Sequence, residues 1–125
     1  MDYSQLMQKA IEVSKNAYSK YSNFSVGACL LSENGNEYCG CNVENSSYGL
    51  TICAERNAIA QAVANGECKF KAIAIYSPNA ENCLPCGACR QVLHEFGDDI
   101  QVITKTGEEL KITTIKELLP EGFKL

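Results

Sequence analysis

Two segments of this chain, residues 53–65 and 86–96, each open on cysteine, and each is followed by a glycine, Gly66 or Gly97. They read as helices with C-terminal glycine stops. Any metal shared by their first turns would force two helix starts to one point. Cys86 and Cys89 are three residues apart, so within a first helical turn both sulfurs face the same way. A third thiol from another helix start would leave one open position on a tetrahedral metal. Three protein ligands plus water is the zinc arrangement of catalysis, whereas structural zinc is closed by four.

Around these segments the chain switches between the two hydrophobic periods. From residue 2 to about 20, Leu6, Ala10, Val13 and Ala17 recur at helical spacing, an amphipathic helix with one buried stripe. Residues 24–31 and 37–43 flank Asn34-Gly35 and read as a β-hairpin. A polar loop covers 44–51, residues 70–76 form a buried strand, and 77–85 form a loop. Two further strands are expected at 100–104 and 109–113, then a short helix at 114–119 stopped by Pro120. The strand-helix-strand-helix-strand run in the middle predicts parallel neighbours with helices on the sheet faces. The expectation is one α/β domain over residues 1–125, three layers (α/β/α) around a five-stranded mixed sheet.

Eight cysteines in 125 residues raise the question of disulfides. The sequence begins Met1-Asp2-Tyr3 and lacks a basic-then-apolar block, so the expectation is no secretory signal and reduced thiols in the cytoplasm. The longest apolar run, Ala72 to Tyr76, is five residues, far short of a membrane span. Eleven basic against fifteen acidic residues, a net charge of −4, argue against nonspecific binding to nucleic acid or anionic membrane, since both need a basic face.

Glu55 sharpens the metal reading. Two residues turn a helix by roughly 200°, so inside a regular helix Glu55 could not share a face with Cys53. At the very start of the helix Cys53 can be non-helical, and both groups can then face one pocket. A carboxylate beside a metal's open position is a proton shuttle. Cys53-Ala54-Glu55 with Pro85-Cys86-Gly87-Ala88-Cys89 resembles the signature of the zinc-dependent nucleoside deaminases. Phe24-Ser25-Val26-Gly27-Ala28, Asn42-Val43-Glu44, Ser47-Tyr48-Gly49-Leu50-Thr51 and Leu118-Leu119-Pro120 with Phe123 are similar to the small cytidine deaminases at similar spacing. The resemblance covers nearly the whole chain. Asn23 and Ser25 depart from it, flanking Phe24 where that family more often has prolines.

The resemblance implies a cytidine-deaminase-like fold and zinc-dependent hydrolytic deamination of cytidine and 2′-deoxycytidine, a pyrimidine salvage reaction. It implies one Zn²⁺ per subunit on Cys53, Cys86 and Cys89, with Glu55 as general acid and base. By the same resemblance Asn42 and Glu44 hydrogen-bond the ribose hydroxyls, and Phe24 and Ala54 line the nucleoside pocket. Phe123 stacks on the base in a neighbouring subunit's site, within a homotetramer whose sites are shared between subunits. Three thiolates overwhelm the charge of Zn²⁺. Two helix N-termini offset part of this, and Arg56, with Arg90, is expected to offset more by donating hydrogen bonds to the sulfurs. Glu44 near the sugar would repel a phosphate, so nucleosides fit better than nucleotides, and the acidic balance disfavours RNA or DNA substrates.

Blander readings stand beside these. Cys83, Cys86 and Cys89 form C-x2-C-x2-C, open to an iron–sulfur cluster, and a four-cysteine zinc site including Cys53 would be structural, but neither explains Glu55. Cys83, ahead of Pro85, otherwise reads as a spare thiol, Cys29 as core, and Cys39, Cys41 and Cys68 likewise. By default Glu55 opposes a helix dipole, and Arg56, Arg90 and His94 are surface residues. A deaminase of a nucleoside antibiotic is the alternative activity, and a non-catalytic zinc module the alternative class.

Overall fold

The computed structural model describes residues 2–125. Helix α1 (Ser4–Ser14) leads into a hairpin of β1 (Gly27–Ser32) and β2 (Glu37–Cys41), then a 3₁₀ turn (Tyr48–Leu50). After it come α2 (Ala54–Ala64), β3 (Phe70–Tyr76), α3 (Gly87–Phe96), β4 (Gln101–Thr106), β5 (Glu109–Thr114) and α4 (Ile115–Leu118). The strands form one sheet in the order β2-β1-β3-β4-β5, with β3 and β4 parallel and all other neighbours antiparallel.

Alternation along the strands sorts the core into two halves. Leu30, Ile73, Ile75 and Val102 face Ala58 and Ile59 of α2, Leu93 of α3 and Ile115 of α4. Their neighbours Cys29, Ala72, Ala74 and Ile103 face Leu6, Met7 and Ala10 of α1. The three-layer α/β/α architecture with a five-stranded mixed sheet is therefore the one the sequence pattern predicts. Two close approaches require glycine. A Cβ on Gly27 would lie 2.1 Å from the Ala10 carbonyl oxygen, and one on Gly40 would lie 2.6 Å from the Ala58 nitrogen. Helices α1 and α2 thus seat backbone to backbone on the hairpin.

The parallel neighbours expected in the middle of the chain occur once, not twice, because β1 lies between β2 and β3. The more apolar hairpin strand, β1, is buried almost throughout and takes the interior, while the half-exposed β2 takes the edge. The hairpin turn is a three-residue loop. The Ser32 amide donates to the Asn36 carbonyl at 2.8 Å, and Gly35 sits at φ +88°. A two-residue Asn34-Gly35 turn would place Cys29 opposite Gly40; the longer loop places it opposite Cys39.

Two expected elements end early. Helix α1 stops at Ser14 and β2 at Cys41, because Tyr18, Val43 and Ile52 pair with one another instead. The Tyr18 amide donates to the Asn42 carbonyl and the Glu44 amide to the Tyr18 carbonyl, both at 2.9 Å. This small extra ladder holds Asn42 and Glu44 beside the start of α2. Among the described residues no helix is long and apolar enough to cross a membrane.

Candidate active site and metal centre

Helices α2 and α3 point their N-termini at one place. Cys53 caps α2 in extended conformation (φ −69°, ψ 155°), and Cys86 caps α3 likewise (φ −66°, ψ 170°). Neither cap carries a side-chain hydrogen bond to the helix, which leaves both sulfurs free to turn outward. Cys89, one turn into α3, is fully buried. The Cys53 and Cys86 sulfurs are 3.9 Å apart, and all three lie within 4.8 Å of one another. Two sulfurs each 2.3 Å from a tetrahedral zinc are about 3.8 Å apart, so the donor set and its spacing suit that ion. Cys83 lies outside this group, so neither the four-cysteine site nor the iron–sulfur reading is supported.

The electrostatics favour thiolate at Cys53. Shared protons with Cys89, opposed by burial and helped by Arg56, bring Cys53 down to about 5, and the same coupling pushes Cys89 up. Arg56 Nη2 donates to the Cys53 sulfur at 3.6 Å and to the Thr51 carbonyl at 3.4 Å, and the thiols hold the guanidinium firmly protonated. Arg90 is placed differently. Its Nε donates to the Pro85 carbonyl at 2.7 Å and its Nη1 to the Leu118 carbonyl at 3.0 Å. It therefore braces the loop before Cys86 against the last residue of α4, and its hydrogen bonds go to carbonyls rather than to a sulfur. The reason is position: Arg56 is near the cap of its helix, whereas Arg90, beyond Cys89, reaches the carbonyls of Pro85 and Leu118.

Beside the thiols opens a cleft of about 250 Å³ lined by Phe24, Asn42, Glu44, Cys53, Ala54 and Glu55. Glu55, in the first turn of α2, is 4% exposed. Burial pushes its carboxyl up to about 7, with the Cys53 charge adding to the effect. Phe24 sits at the rim, 38% exposed. Its neighbour Asn23 adopts φ +59°, a left-handed conformation open to asparagine and closed to proline, so the loop takes a course a proline there would forbid.

Asn42 and Glu44 do more structural work than the sequence suggested. Asn42 Oδ1 accepts from the Val26 amide at 2.9 Å and its Nδ2 donates to the Phe24 carbonyl at 2.8 Å, clamping the aromatic loop. Glu44 accepts from the amides of Tyr21 and Ser22 at 3.0 and 3.1 Å and from the Ser22 hydroxyl, which holds its carboxyl below the usual range. Phe123 lines no part of this cleft; the residue is 69% exposed and its carbonyl accepts from Gln91. His94 is half-buried rather than a surface residue, covered by the chain at Gly122, and its Nδ1 is buried without a partner.

Cleft residues to which the sequence assigned no site role include Ser22, Cys83 and Leu84. Ser22 had a faint signal in its place two residues before Phe24. Burial, with the Glu55 charge beside it, pushes the Cys83 thiol up to about 11.

A family model for the cytidine and deoxycytidylate deaminase zinc-binding region matches residues 1–105. The cytidine deaminase of Sporosarcina psychrophila is 43% identical over 98% of this chain and 92% of its own length. The crystal structure of a cytidine deaminase from Burkholderia pseudomallei superposes with a TM-score of 0.92 at 41% identity, covering 98% of this chain and all of the other. A blasticidin-S deaminase from Bacillus cereus is 32% identical over 76% of the chain and 74% of its own length. The matched zinc-binding region and the converging thiols together assign one zinc to each chain. By fold, by metal centre and by similarity along nearly its whole length, the chain belongs to the cytidine and deoxycytidylate deaminase family.

Proposed function

We propose that this chain hydrolyses cytidine and 2′-deoxycytidine to uridine and 2′-deoxyuridine with release of ammonia, a reaction of pyrimidine salvage. The observation that carries the reading is a buried carboxylate, Glu55, lining the cleft into which metal-ligating thiols open. Cys53, Cys86 and Cys89 hold the zinc, which when bound lowers the pKa of a water and so supplies a nucleophile at neutral pH. Glu55 moves the protons. It takes one from the attacking water and gives it to the pyrimidine N3, then takes the second from the new C4 hydroxyl and gives it to the departing amine. Phe24 and Ala54 pack against the base, while Asn42 and Glu44 take the sugar hydroxyls and hold the loop that shapes the pocket. Arg56 offsets the charge of the thiolates through Cys53.

Glu44 at the sugar end disfavours a phosphate, so the free nucleoside is the substrate. Residues 1–125 act as one domain, in the cytoplasm. Copies of the chain assemble into a homotetramer with Phe123 reaching a neighbour's cleft; exposed Tyr48, Leu50, Ile52 and Phe123 support such an assembly. Sizing the purified protein tests this directly.

The activity is tested by adding cytidine to zinc-loaded protein and following the loss of cytosine absorbance together with ammonia release. Cys86→Ala is expected to lose both zinc and turnover. Zinc retained at one per chain with no turnover on cytidine or deoxycytidine would refute the reading. Turnover confined to a cytosine-nucleoside antibiotic would move the chain to the activity of its blasticidin-S deaminase relative.

A further inference from the structure

Three thiols take part in the metal centre and Cys83 lines the cleft, but two others meet elsewhere in the fold. Cys29 on β1 and Cys39 on β2 are directly opposite in the antiparallel ladder, with their sulfurs 2.7 Å apart. Cys29 is fully buried under α1, while Cys39 is half-buried and opens into a groove of about 440 Å³ lined by Lys9, Glu12, Val13, Lys15 and Asn16. One sulfur is thus reachable from outside and the other waits behind it. Both are distant in sequence from the residues that hold zinc.

We propose that Cys29 and Cys39 form a thiol–disulfide exchange site, in which Cys39 reacts with a small-molecule disulfide and Cys29 resolves the adduct. The Cys39 thiolate attacks one sulfur of the incoming disulfide, whose S–S bond breaks and releases one thiol. Cys29, giving up its proton, then attacks the Cys39 sulfur and releases the second thiol. The two cysteines are oxidised by two electrons to an intrachain disulfide, the small disulfide is reduced to two thiols, and the two cysteine protons end on those thiols. The division of roles suits the surroundings. The sulfur contact with Cys29, with Lys9 nearby, holds the Cys39 thiol below its ordinary value against the opposing effects of burial and Glu37, and the same contact with burial pushes Cys29 up. The cross-link ties edge strand β2 to β1 three residues ahead of Asn42.

The test treats zinc-loaded protein with glutathione disulfide, blocks the remaining thiols, and maps the peptides by mass spectrometry. The expected product is a Cys29–Cys39 linkage with zinc content unchanged, fully reversed by dithiothreitol. Cys29→Ser is expected to stop at a glutathione adduct on Cys39, and Cys39→Ser to form neither adduct nor linkage at Cys29. A linkage mapping to Cys39–Cys41 or to Cys68, or a wild-type protein whose Cys29 and Cys39 stay reduced, would overturn the proposal. Should either variant fail to fold, the wild-type map alone decides between these outcomes.

Discussion

Replacing Glu55 by glutamine separates what this carboxylate does for chemistry from what it costs the fold. The side chain is 4% exposed, and burial raises its pKa from 4.5 to about 7. A tenfold change in proton affinity corresponds to about 1.4 kcal/mol, so holding the charged form in this pocket costs about 3 kcal/mol. The sign follows from the raised value. Below pH 4.5 folded and unfolded chains are both protonated at Glu55, and the group contributes no penalty. Between pH 4.5 and 7 the unfolded chain ionises first, so stability is lost as pH rises, and above 7 the loss is constant. Glutamine keeps the shape without the charge. In zinc-free, reduced protein, Glu55→Gln and wild type are expected to melt together near pH 4.5. At pH 8.5 the variant should melt higher by about 10 °C, the shift about 3 kcal/mol implies for a chain of this size. The same variant, zinc-loaded, should lose turnover by about 10²–10⁴-fold with its zinc retained. A melting difference that does not change with pH would refute the desolvation argument, and full turnover would refute the proton shuttle.

Other substitutions probe the parts that support this site. Arg56→Gln removes the donor to Cys53 and is expected to weaken zinc affinity about 10–100-fold in a chelator competition, with Arg56→Lys a poor substitute for the forked guanidinium. Gly40→Ala drives a Cβ to within 2.6 Å of the Ala58 nitrogen, so urea unfolding should show a loss of about 1–3 kcal/mol, with weaker zinc retention as the start of α2 is displaced. Asn42→Ala deletes both bonds to the aromatic loop at Phe24 and Val26, and is expected to cost about 2 kcal/mol while raising KM more than it lowers kcat.

Much of the fold was legible because its signals are local. The glycines after 65 and 96 mark helix ends within a residue or two, and the inference that Cys53 could leave the helix needed only the rotation per residue. Strand order was less legible: β1 and β2 are adjacent in sequence, and only their different burial places β1 inside the sheet. The site divides in the same way. Arg56 lies three residues from the sulfur it bonds, whereas the partners of Arg90 include a carbonyl at Leu118, reached only when the C-terminal segment folds back. The amide of Asn42 is spent on residues 16 and 18 positions away, which no spacing rule connects.

The sequence by itself determined the chemistry available: which thiols open helices, which carboxylate stands two residues from one of them, and which faces of each element are apolar. Those follow from periods of two and 3.6 residues, set by backbone geometry over a few bonds. Tertiary structure alone decided that Cys53 meets Cys86, that a three-residue turn sets Cys29 opposite Cys39, and that Glu55 is buried deeply enough to hold a proton near neutral pH. Proximity and desolvation are properties of packing between distant segments, and a linear pattern can supply the groups without stating how far from water they will lie.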